Sequence, residues 1–172
     1  MENFIIRKAN IEDVEGIVYV NTYTWLTTYK NLIPDSILDE RVRTMDERIS
    51  RVTQDIQNYG NFYVATVDNR VVGMLSYGRS RNKNYSFDGE IYAIYVLEEF
   101  QGCGIGKKLF FTGVQALIND GYSNMILNVL DGNKAINFYQ KYLGKKVGIL
   151  EDYFCGFLLR EYIMYFEDIK KI

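Results

Sequence analysis

The sequence predicts a mixed α/β protein with one layer of sheet and helices packed on it. Three observations carry that prediction. Apolar residues make up 48% of the 172 residues and aromatics 15%, enough to close a core and too many for a disordered or coiled-coil chain. β-rich runs alternate with amphipathic helical runs along the chain. The breaks between them carry turn residues, and no linker, low-complexity tract or internal repeat interrupts the pattern. Together these give one domain over residues 1–172.

Phe4–Lys8 (FIIRK) reads as the first strand. Asn10, with Asp13 three residues on, forms an N-cap arrangement for a first helix whose apolar residues are Ile11, Val14, Ile17 and Val18. Helical character fades through TWLTTYKNLIP, and Pro34, the only proline, sets a break. Asp35 or Ser36 can cap a charged second helix running to about Asn58.

NFYVATV and RVVGMLSYG flank Asp68-Asn69, a hairpin turn between two strands. A polar loop leads to Glu90–Val96 (EIYAIYV), a further strand. KKLFFTGVQALIND is an amphipathic helix that Gly121 ends as its C-cap. MILNVL is a strand, NKAINFYQKYL a helix, and Lys145–Phe166 two strands joined by a loop around Tyr153 to Gly156. The order is β-α-α-β-β-β-α-β-α-β-β. The exposed last strand can pair edge to edge in a homodimer.

Composition excludes several chemistries. The chain has no histidine, which removes Ser-His-Asp and Cys-His catalysis and every His-ligated metal site. Its two cysteines, Cys103 and Cys155, cannot form a four-thiolate zinc site, and no metal is expected. With 20 basic and 22 acidic residues the net charge is −2 and no basic block stands out, which argues against nucleic acid or an anionic membrane as partner. No secretory signal or membrane-length apolar run is visible, so a cytoplasmic protein is expected.

The densest signal is 99-EFQGCGIGKKLF-110, with three glycines in five residues between a strand and a helix. Such a junction is an anion cradle: the first N–H groups of a helix lack intrahelical partners, and the helix dipole favours negative charge there. Lys107 and Lys108 sit in the first turn, where the dipole alone disfavours them, so a bound anion explains their placement. A P-loop fails at Gln101 and Lys108, and the G-x-G-x-x-G dinucleotide fingerprint is one residue short. A ligand-free tight turn is the bland alternative.

What remains is Q-x-x-G-x-G, at Gln101, Gly104 and Gly106. It resembles the acyl-CoA pyrophosphate loop of the GCN5-related N-acetyltransferases. A second stretch, Asn133-Lys134-Ala135-Ile136-Asn137-Phe138-Tyr139, is similar to that family's N-x-x-A-x-x-F-Y signature, and TWLTTYKNLIPDSILD to its first-helix region. The resemblance implies the acyl-CoA N-acyltransferase fold, a mostly antiparallel mixed sheet with helices on both faces. It implies transfer of an acetyl group from acetyl-CoA to a primary amine by direct attack in a ternary complex.

Roles then fall on residues. Gln101, Gly102, Cys103, Gly104, Ile105, Gly106 and Lys107 would hold the pyrophosphate through backbone N–H groups. Ile94, Tyr95 and Val96 would pair with the pantetheine arm, an N–H near Val96 polarising the acetyl carbonyl. Asn133 would cap its helix and bond the cofactor, and Tyr139 would protonate the leaving thiolate. Glu90 is the expected base, with a solvated carboxylate as the alternative, while Glu98 and Glu99 read as surface charges and Cys103 as chemically incidental. Tyr23, Trp25, Tyr29 and the Tyr153–Phe157 loop are acceptor-wall candidates. The chain departs from the family in F-Y-Q-K-Y-L-G-K-K, so the acceptor stays open among polyamines, small amines, amino acids and a protein N-terminus. A regulatory acyl-CoA-binding protein without turnover and an ATP- or NAD-binding protein are the rival readings.

Overall fold

The computed structural model describes residues 3–83 and 85–172. Its strands are β1 (Ile5–Lys8), β2 (Phe62–Val67), β3 (Arg70–Arg79), β4 (Gly89–Val96), β5 (Met125–Leu130), β6 (Lys145–Phe154) and β7 (Phe157–Phe166). Its helices are α1 (Val14–Thr28), α2 (Asp35–Arg43), α3 (Met45–Asn58), α4 (Ile105–Asn119) and α5 (Ala135–Lys141). The hydrogen-bonded strand order is β1-β2-β3-β4-β5-β7-β6, mixed and mostly antiparallel as expected, with β4–β5 the parallel pair. Among the described residues no helix is long and apolar enough to cross a membrane.

The chain divides into two compact units. One comprises the residues up to Ser76 with Ala93–Thr112, the other Tyr77–Tyr92 with Gly113–Ile172.

In the first unit, the Asn10/Asp13 capping box forms, but on a 3-10 turn that precedes α1. Asp13 is buried there. Burial alone would raise its pKa, yet paired hydrogen bonds from Arg7 and one from the Asn10 N–H hold it below the usual carboxylate range. α1 lies close on β3: a Cβ at Gly16 would sit 2.7 Å from the Val71 Cβ. Ile105 and Leu109 of α4 pack on Gly73 of the same strand. Between these two contacts the β2–β3 ladder shifts register, Ala65 pairing Gly73 and Thr66 pairing Val71. Asp68 and Asn69 take φ of 46° and 64°, the left-handed pair that a two-residue hairpin requires.

Two expectations for the helical segment are corrected. The charged stretch after Pro34 is two helices, broken at Thr44, whose hydroxyl bonds back to the Glu40 carbonyl at 2.8 Å. Neither Asp35 nor Ser36 caps it; Pro34 is the N-cap residue, its carbonyl accepting from the Ile37 N–H.

In the second unit, Met125, Ile126, Leu127, Ile163, Met164 and Phe166 form the buried centre of the β5–β7 pair. Gly121, at φ 90°, ends α4 as expected, with the Tyr122 N–H bonded to the Leu117 carbonyl. The β6–β7 connection tightens to Cys155-Gly156, and the last strand is not an edge, because β7 lies between β5 and β6. The edge strand at this end of the sheet is β6.

Candidate functional site

The glycine loop belongs to the first unit and begins where β4 ends. The Leu97 N–H donates to the Val72 carbonyl at 2.9 Å, and the chain turns through Glu98–Phe100. The side chain of Gln101 donates to the Val96 carbonyl at 2.9 Å, tying the loop back to the strand it left. Gly102 and Gly104 take φ of 75° and 89°, a region side chains disfavour, and a Cβ on either would meet no atom within 4 Å. Backbone conformation therefore demands these two glycines.

α4 opens two residues earlier than the sequence suggested, at Ile105, with the Lys108 N–H bonded to the Gly104 carbonyl at 3.0 Å. This puts Gly106 inside the first turn, 3.8 Å (as a Cβ) from a Val96 methyl. Helix geometry gives the first-turn N–H groups of Ile105 and Gly106 no intrahelical acceptor. Ile105, buried, anchors the turn from below. Successive N–H groups over left-handed glycines, at the positive end of a helix dipole, suit a phosphate or pyrophosphate. Glu98 and Glu99 are exposed, Glu99 making a 3.4 Å ion pair with Arg70. Cys103 is exposed beside the Gln101 carbonyl.

Tyr95, within β4, draws two of the predicted acceptor-wall aromatics together. The Trp25 indole N–H donates to the Tyr95 hydroxyl at 2.9 Å, and Tyr29 meets Trp25 edge-on at 4.9 Å. Tyr23 is not part of this group; it packs on Tyr19 at 4.2 Å. Arg41, from the last turn of α2, lays its guanidinium 4.2 Å over the Trp25 ring. The sequence reading missed Arg41, because a basic residue within a charged helix running to about Asn58 reads as part of a solvated face.

In the second unit, Glu90 is 3% exposed and both its oxygens are taken by Arg81: one by the backbone N–H at 2.7 Å, the other by Nη2 at 2.6 Å and Nε at 3.1 Å. Its parallel pairing with Ile126, next to Gly89 with Met125, joins β4 to β5. Glu161 on β7, opposite Leu130 and Leu150, is a half-buried carboxylate, which the sequence reading overlooked among alternating strand residues. Burial raises its pKa; Asp152 and Glu90 push the same way against the opposing pull of Arg81.

Asn133 accepts from the Ala135 N–H at 2.9 Å just ahead of α5, whose N-cap residue is Lys134 rather than the expected Asn133. Tyr139 lies on α5, half-buried, its ring edge-on to Phe138. The tip of the late hairpin leaves Tyr153 largely exposed.

The strand order is that of the acyl-CoA N-acyltransferase fold. Comparison with known proteins narrows the class. The profile of the acetyltransferase (GNAT) family matches residues 22–144. An uncharacterized N-acetyltransferase of Bacillus subtilis (strain 168), YuaI, is 35% identical over 160 residues, covering 91% of this chain and 88% of its own. An N-alpha-acetyltransferase of Sulfolobus acidocaldarius is 26% identical over 163 residues, covering 88% of this chain and 86% of its own. The crystal structure of the PaiA N-acetyltransferase of Thermoplasma acidophilum, in complex with coenzyme A, superposes with a TM-score of 0.73 at 22% identity, over 96% of this chain and 99% of that one. The chain belongs to the GNAT acetyltransferase family.

Proposed function

We propose that the protein, as one catalytic domain over residues 1–172, transfers the acetyl group of acetyl-CoA to a primary amine by direct attack in a ternary complex. The observation that carries the reading is the Gln101–Gly106 loop. Two glycines are held left-handed with open space above them, at the start of a helix whose first N–H groups have no intrahelical acceptor. These residues fit a pyrophosphate, and acetyl-CoA would supply a thioester carbonyl.

The chain's own groups then divide the work. Backbone N–H groups from Gln101 to Lys107 bind the pyrophosphate, and Ile94, Tyr95 and Val96 align the pantetheine arm along β4. An N–H at Val96 stabilises negative charge on the carbonyl oxygen as the amine nitrogen bonds to carbon. The Tyr139 hydroxyl gives its proton to the departing thiolate, and Asn133 orders the start of its helix. The ammonium proton has two candidate acceptors: Glu90, both of whose oxygens Arg81 occupies, and Glu161, whose pKa burial raises.

Calorimetric titration with acetyl-CoA, ATP and NAD, followed by thiol release from an amine panel, tests this reading. Saturable binding of acetyl-CoA alone and amine-dependent release of CoA are expected. Tyr139→Phe should lower kcat while acetyl-CoA affinity holds. Absence of acetyl-CoA binding overturns the assignment of the loop. Binding without release from any amine leaves an acyl-CoA-binding protein without turnover.

A further inference from the structure

Arginine pairing in this chain is uneven. Arg7, Arg43, Arg70, Arg81 and Arg160 each meet a carboxylate. Arg41 and Arg48, the two enclosed ones, meet none among the described residues. A buried guanidinium without a counter-anion is costly.

The two arginines have different work. Arg48, 6% exposed, spends its terminal N–H groups on Asn21 Oδ1 at 2.9 Å, Thr22 Oγ1 at 2.6 Å and the Arg41 carbonyl. It joins α3 to α1 and to the end of α2. Arg41 donates from Nη2 to Asn21 Oδ1 and rests its face on Trp25; the buried Nε of each arginine has no acceptor. Burial lowers the pKa of both, and that of Arg48 falls to about 10 with the charges of Arg41 and Arg51 close by. Arg48 remains a cation at neutral pH. Trp25 in turn donates to the Tyr95 hydroxyl, so a single side chain separates Arg41 from the strand assigned to the thioester.

We propose that Arg41, held by Asn21 and Trp25 and backed by Arg48, binds an oxyanion on the acceptor, which is therefore a primary amine bearing a carboxylate or phosphate. Two neighbouring guanidiniums repel the second ammonium of a polyamine and attract an amino acid or a phosphoryl amine. The proposal rests on the acetyltransferase reading and adds the acceptor class to it.

Trp25 is the only tryptophan, so intrinsic fluorescence reports on this place directly. The protein, Arg41→Gln and Arg41→Lys are titrated with N-acetylglycine, N-acetylglycinamide, O-phosphoethanolamine, spermidine and CoA. Thiol release is measured for amino acids against their amides, and acetyl-CoA affinity by calorimetry on the same samples. A saturable Trp25 response to the carboxylate or phosphate probe and not to the amide is expected. Arg41→Gln should abolish it, and Arg41→Lys restore part. In turnover, Arg41→Gln should raise KM for the anionic amine about 10-fold or more while acetyl-CoA affinity stays within about twofold. The carboxylate and phosphate probes separate the two sources of the anion.

A preference for spermidine, an amino acid-to-amide ratio unchanged in Arg41→Gln, or no anion response with acetyl-CoA still binding would each overturn the proposal. So would a Trp25 response to CoA alone that Arg41→Gln removes, since it moves the residue to the cofactor. Loss of acetyl-CoA binding by the unsubstituted protein would instead sink the acetyltransferase reading itself.

Discussion

The side-chain amide of Gln101 donates to the carbonyl of Val96 at 2.9 Å. The residue that starts the glycine loop therefore also fixes the end of the strand from which the loop departs. Gln101→Ala leaves that carbonyl to water and lets the loop shift against β4. Acetyl-CoA affinity should fall about 5–10-fold, with about 1 kcal/mol lost from stability. Calorimetry and a denaturant titration on the same variant check the two numbers. An unchanged affinity would mean that the loop holds its shape without this bond.

Gly104 separates strain from occlusion. At φ 89° any side chain is strained, so Gly104→Ala should cost about 1–2 kcal/mol of stability. Gly104→Asp adds a negative charge where the cradle receives phosphate, and acetyl-CoA binding should be lost. The alanine variant, folded and binding more weakly, is the control. Full affinity in a folded Gly104→Asp protein would remove the pyrophosphate from this loop.

Local signals were legible wherever a single residue type answers a backbone demand. Asp68-Asn69 and Gly121 were readable as turn and cap because left-handed φ narrows the choice of residue. The break at Thr44 was not, since a mid-helix threonine is common and only its backbone, at φ −94° and ψ 17°, marks the end of α2. Glu90 was visible as a carboxylate near β4, but its commitment to Arg81 depends on a chain reversal that brings residues nine apart together. Arg41 on Trp25 joins α2 to α1 across sixteen positions, and no local pattern announces such a contact.

The departure from the family pattern after Tyr139 has a structural outcome. Leu143 takes φ 68°, the left-handed position after α5, while Gly144 comes one residue later with its N–H on the Tyr139 carbonyl at 3.0 Å. Gly144 cannot be exchanged, because a Cβ there would lie 2.8 Å from the Phe166 ring. Leu143 is 59% exposed and gives up little packing. Leu143→Gly should therefore stabilise the protein by about 0.5–1 kcal/mol, and Gly144→Ala should destabilise it by more. Thermal unfolding of both variants decides; a less stable Leu143→Gly protein would show that the leucine packs better than its exposure implies.

Glu161 should trade stability for function. Burial raises its pKa in the folded state, so folding favours the protonated acid. The sign follows from linkage: this contribution is fully present below the unfolded value of about 4.3 and is lost as pH rises through the folded pKa. Above the folded pKa the ionised side chain therefore weakens the fold. Glu161→Gln, neutral and of the same size, should raise the unfolding temperature at pH 7, and the advantage should vanish below about pH 4. If Glu161 also takes the ammonium proton, the same substitution should lower kcat/KM about 10²-fold or more and flatten the acid limb of its pH profile. A stabilised variant with full activity would keep the electrostatic account and return the search for the base to another group. A variant destabilised at pH 7 would refute the electrostatic account itself.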